Sequence, residues 1–239
     1  MVNTQSNGLD TKSIRSYGIH GALGLLMGFG IGIIPSEIIP IFASGSPLIS
    51  PVIQGVIVLA IYGFYMEYIL GGQEKSSRLL LSGAIAGAFG GLIAAGLLAG
   101  DIIHRRSLFD PLFIILFFSG SILGLPKPKN MVLLGASGIS GTTVGYGIYI
   151  AGQNLAIYLN NEWMQSGPLV ILIAVLSALF AIGIAGASIA VGMYFTEGTA
   201  YMKREVPWFL KITRGAGIVL TLILLFISTL MFLSATKYA

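Results

Sequence analysis

Two glutamates, Glu67 and Glu197, stand at the ends of long apolar runs and beside tyrosines: Tyr62, Tyr65 and Tyr68 around the first, Tyr194 before the second. An acid at membrane depth marks a functional site by default, because a desolvated carboxylate can accept a proton or coordinate a cation. The plain alternative puts both in the headgroup layer, paired with Lys75, Arg78, Lys203 or Arg204. A second charged group is the run Asp101, His104, Arg105, Arg106, Asp110. Its carboxylates and guanidiniums could hold an anion or a partner, or neutralise one another in a solvated loop. Uncharged polar groups gather in one later stretch, where Ser137, Ser140, Thr142, Thr143, Tyr146 and Tyr149 stand among glycines. Ser137 and Thr142 are the candidates there for contact with a substrate. Against that stands the usual role of Ser and Thr in membrane helices, a bond to a neighbouring helix or to their own backbone. Glu37 closes the first apolar run as an interface residue.

Three kinds of catalysis or cofactor binding can be weighed on these residues. Gly135-Ala136-Ser137-Gly138 resembles the Gly-x-Ser-Gly motif of rhomboid intramembrane proteases, and Gly63 to Glu67 resembles the Gly-x-x-x-Glu of that family's second span. The resemblance covers two short patches and implies a histidine after the serine as its base. Both histidines, His20 and His104, precede Ser137, so an active protease of that type is not expected. A haem held by the two histidines needs them at one depth, and the topology below places them at opposite faces. A retinal protein needs a lysine in its last span, and none lies between Gly215 and Thr236. With no cysteine in the chain, thiol catalysis and thiolate metal sites are absent as well. The expectation is a chain with no cofactor and no metal, and not an enzyme.

The elements that must position these residues follow from composition. Only 9% of residues are charged and 55% are hydrophobic, whereas an ordinary soluble domain has about 25% charged. Apolar runs between charged or Pro-rich breaks predict helices near 17–34, 52–71, 79–103, 108–124, 131–151, 168–196 and 212–234. The fourth is short, bracketed by Pro111 and Pro126, and has a re-entrant alternative. With the amino terminus in the cytoplasm, ten basic residues fall inside (Lys12, Arg15, Lys75, Arg78, Lys127, Lys129, Lys203, Arg204, Lys211, Arg214) and three outside (Arg105, Arg106, Lys237). That asymmetry follows the positive-inside rule for seven spans and puts the carboxyl terminus outside. The basic residues form no run, so nucleic acid is not expected as a partner. Two stretches, 35–51 and 153–167, read as long outside loops or short surface helices, the first with four prolines.

Thirty-three glycines complete the picture, many at four-residue spacing: Gly24, Gly28, Gly32 in one run, and Gly83, Gly87, Gly91 with Ala95 and Ala99 in another. Small residues let membrane helices approach backbone to backbone. The sequence therefore predicts an all-α, polytopic integral membrane protein: a polar tail at 1–16 and a single Gly-rich bundle of about seven spans at 17–239. Spans one, three, five and six are expected to pack together, with span seven at the rim. A faint likeness between the first three and last three spans suggests an internal duplication, at unequal spacings. The function expected is a small-solute or ion transporter or channel in a prokaryotic-type cell membrane, with Glu67 as coupling or selectivity residue. The alternative is a non-catalytic structural or anchoring subunit of a larger membrane complex. The bilayer is the expected partner, with a homo-oligomer or complex partners beside it.

Overall fold

A computed structural model of the chain describes residues 11–43, 49–70, 78–100, 102, 110–119, 131–162, 167–197 and 206–236. They form seven helices: α1 (Thr11–Ala43), α2 (Ile49–Leu70), α3 (Arg78–Ala99), α4 (Asp110–Ser119), α5 (Met131–Glu162), α6 (Gly167–Glu197) and α7 (Trp208–Thr236). Five of them, α1, α2, α3, α6 and α7, are long and apolar enough to cross a membrane. The other two differ for separate reasons. The ten described residues of α4 rise about 15 Å, half of a hydrocarbon core. α5 has length to spare at 32 residues, but its Ser, Thr, Tyr, Asn and Gln dilute its apolar character.

Several helices run past the ends expected from sequence, while α3 stops at Ala99, short of the expected 103. α1 runs through Pro35 and Pro40 to Ala43, and α5 runs to Glu162, so much of both expected outside loops is helical. Proline breaks a helix in water, yet neighbouring groups can satisfy the freed carbonyl in a bundle. α7 begins at Trp208, four residues before the expected 212, which draws Lys211 out of the loop and into the helix that carries Arg214.

Neighbour relations follow from where a Cβ has no room. Gly55 and Gly87 each lie on the other's backbone carbonyl, Gly83 lies on the Leu59 carbonyl, Gly63 on that of Leu79, and Gly91 on that of Pro51. The numbers fall on α2 as they rise on α3, so the pair is antiparallel, and one glycine or backbone contact recurs at each turn. α5 and α6 make a second antiparallel pair in which serine sits on glycine: Ser137 on Gly192, Ser188 on Gly141, Ser177 on Gly152. α1 stands between the two pairs. Its Gly21 and the Gly186 of α6 are each pressed against the other's carbonyl, and its Gly28 lies on the Val58 carbonyl of α2. α7 leans on α1 where Gly30 meets the Gly217 carbonyl and Thr221. Ser119 of α4 donates to the Ala86 carbonyl of α3 at 2.8 Å.

These contacts correct one expectation. α3 packs chiefly on α2 and α4 rather than joining α1, α5 and α6. The close α2–α3 pairing also has no counterpart between α6 and α7, so the packing does not repeat between the two triplets. α7 is the least buried of the five apolar helices, and Val219, Leu222, Ile223, Phe226 and Ile227 are exposed along it. Apolar exposure of this extent is what a lipid-facing surface requires.

Candidate functional site

Polar side chains from three helices meet where α1, α2 and α7 converge. Tyr65 of α2 is fully buried, and its ring occupies the space that the missing side chain of Gly24 leaves on α1. Its phenol oxygen is 3.0 Å from His20 Nδ1 and 3.2 Å from an Arg214 guanidinium nitrogen. Arginine can only donate, so the phenol oxygen accepts from Arg214, and the same oxygen shares a second hydrogen bond with His20 Nδ1. One turn earlier on α2, the buried Tyr62 hydroxyl donates to the Gly186 carbonyl of α6 at 3.0 Å. The close Gly21–Gly186 approach brings that carbonyl within reach. Tyr17 and Tyr194 stack edge to face nearby, with centroids 5.1 Å apart, and tie the ends of α1 and α6.

Direction places this junction at one end of the bundle. Tyr65 pairs with Arg214, and Tyr68 lies edge to face with Phe209 at 6.4 Å, so α7 runs antiparallel to α2 and parallel to α1. His20 is nine residues into α1 and Arg214 six into α7, about 13 and 9 Å along the axes. Lys12, Arg15 and Lys211 lie on the first turns of the same two helices. That end is the one the basic-residue count assigns to the cytoplasm.

Glu67 is at this end of α2 and half-buried. Two residues beyond Tyr65, it stands about 200° around the helix from the junction. Among the described residues it makes no hydrogen bond or ion pair, and the lysines and arginines expected to neutralise it have side chains outside the described set. Glu197 closes α6 at the same end, with its side chain outside that set. Asp101, His104, Arg105 and Arg106 lie outside the described residues, as do the side chains of Asp110, which opens α4, and of Glu37.

Ser137 and Thr142 are on α5, which makes no substantial contact with α2, so the structure does not bring them to Glu67. Ser137 donates to the Leu134 carbonyl at 3.1 Å, and its own carbonyl accepts from Ser188 of α6 at 2.5 Å. It is a helix-packing serine, without a described base beside it. Thr142 is buried, and its hydroxyl oxygen has no hydrogen-bond partner. It shares a face of α5 with Tyr146 and Tyr149, whose rings meet Phe113 of α4 at 5.3 and 5.4 Å. No group of three or more His, Cys, Asp or Glu that could hold a metal exists among the described residues.

The sequence alone argues against His20 as a haem ligand, sets Tyr62 and Tyr65 beside Glu67, and counts Arg214 among the topology signals. Two tyrosines three apart beside a histidine-bearing glycine ladder were the available signal. Comparison with family models, with curated proteins and with solved structures gives no match for this chain.

Proposed function

We propose that this is a multi-pass membrane protein of about seven spans that moves a small solute or ion, with its polar end, Glu67 and the Tyr65 junction, as the working part. The observation that supports it most is the His20–Tyr65–Arg214 cluster, in which two half-buried side chains from α1 and α7 meet the fully buried Tyr65 of α2. Polar and ionisable groups are costly at that depth and are retained where a solute or proton must be handled. Glu67 is the coupling or selectivity residue in this reading, a half-buried acid without a described counter-ion. The glycine-packed helices form the frame, the fourth and fifth helices complete the seven crossings, and the amino terminus lies in the cytoplasm. Purified protein in liposomes loaded with a pH-sensitive dye tests this. Proton or cation flux above that of empty liposomes is expected, and Glu67→Gln abolishes it; unchanged flux in that variant removes Glu67 from the mechanism.

A second reading, a non-catalytic subunit of a larger membrane complex, has one observation in its favour. The face of α5 bearing Ser140, Thr143 and Gly147 is exposed, and nothing lies within 4 Å of where a Gly147 Cβ would be. Small polar surfaces of this kind suit another helix better than lipid. Mild-detergent purification with mass spectrometry separates the readings: a lone or self-associated chain favours transport, a stoichiometric set of partners the subunit.

A further inference from the structure

We infer that the α1–α2–α7 junction is a binding site for an oxyanion, held by the Arg214 guanidinium with the His20 ring beside it. The argument is one of unmatched donors. Arg214 has five N–H groups and no acceptor capacity, and one described bond, to Tyr65, uses a single N–H. Among the described residues no carboxylate pairs with it. His20 bonds Tyr65 through Nδ1, and its Nε2 is a second polar atom at the junction with no described partner. Both residues are half-buried, so these polar atoms lie at the edge of the packed core rather than sealed within it. A cation in a membrane helix with spare donors calls for a ligand that only accepts, and a carboxylate or phosphate fits the guanidinium fork in two-pronged fashion.

Tyr65 is the positioning residue. It is fully buried, seated against Gly24, and fixes His20 and Arg214 with one oxygen. The surroundings agree in sign: Arg15 and Lys211 are exposed on the opening turns of the same two helices, and Glu67 faces away around α2. A phosphate group reaches such a place from two sources, a free phosphate from the cytoplasm or the headgroup of an anionic lipid. The site takes its place in the proposed transporter, yet binding can be measured apart from flux.

The test uses the full-length protein in phosphatidylcholine nanodiscs. Inorganic phosphate is titrated calorimetrically into the wild type, Arg214→Gln, Arg214→Lys and Tyr65→Phe, and thermal melting is followed with and without phosphatidylglycerol in the disc. Phosphate binding at least tenfold weaker in Arg214→Gln, and partly restored in Arg214→Lys, supports the site with a free anion as its ligand. Absent phosphate binding, but a melting rise from phosphatidylglycerol that Arg214→Gln loses, supports it with a lipid headgroup instead. If phosphate and phosphatidylglycerol act on wild type and Arg214→Gln alike, the inference is overturned. Binding without any liposome flux keeps the site and removes the transport reading. Flux with binding indifferent to Arg214 overturns the inference alone.

Discussion

The α2–α3 interface and the α1–α2–α7 junction both depend on glycine, and to opposite ends. Between α2 and α3 a glycine meets a backbone carbonyl of the opposite helix at each turn, so the space beside these glycines is filled by backbone. At the junction Gly24 gives its space to the ring of Tyr65, and that ring delivers a hydroxyl to a histidine and an arginine. The first use of glycine makes a rigid seam. The second makes room for chemistry. A glycine in a membrane helix is therefore informative only once its opposite residue is known.

The difference can be broken deliberately, and the largest effect belongs to the seam. Gly87→Leu drives a branched side chain into the Gly55 backbone, which cannot give as a flexible side chain does. The expected result is failure to purify as a monodisperse species by fluorescence size-exclusion. The milder Gly87→Ala loses about 2 kcal/mol or more, at the upper range for overpacking. At the junction the expected pattern is inverted. Arg214→Gln costs a large share of function, at least tenfold in flux, with melting nearly unchanged. Tyr65→Phe removes both described bonds of the phenol and costs about 1–2 kcal/mol in thermal stability, together with a comparable functional loss. Ser188→Ala, which deletes the bond to the Ser137 carbonyl between α5 and α6, costs about 0.6 kcal/mol, the average for such bonds in membranes. Smallest of all is Gly147→Ala, where the added methyl meets nothing within 4 Å and melting stays within about 0.5 kcal/mol of wild type.

Helix number and approximate placement were legible in the apolar runs, because a long stretch without charge has few alternatives to a helix. Helix ends were not. Pro35 and Pro40 read as breakers by their behaviour in water, and the bundle carries α1 through both. The glycine ladders were legible as close-packing faces, but spacing names a face and never a partner: Gly83, Gly87 and Gly91 turn to α2, not to the other glycine-rich helices. The junction lay further out of reach. Its bonds join residues 45 and 149 positions apart, and no local pattern links a histidine on the first helix to an arginine on the last. Glu67 stood out because an isolated acid in an apolar run is a local signal. Thr142 stood out only as one of a group of uncharged polar residues in a glycine-rich run, and its hydroxyl is buried without a hydrogen-bond partner.

The most direct test of a structural seam beside a working junction is solute-coupled proton flux in liposomes holding equal amounts of wild type and Arg214→Gln, each checked for an unchanged melting temperature. The account predicts flux in the wild type and at least a tenfold loss in the variant. Equal flux in the two, or none above empty liposomes in the wild type, contradicts it.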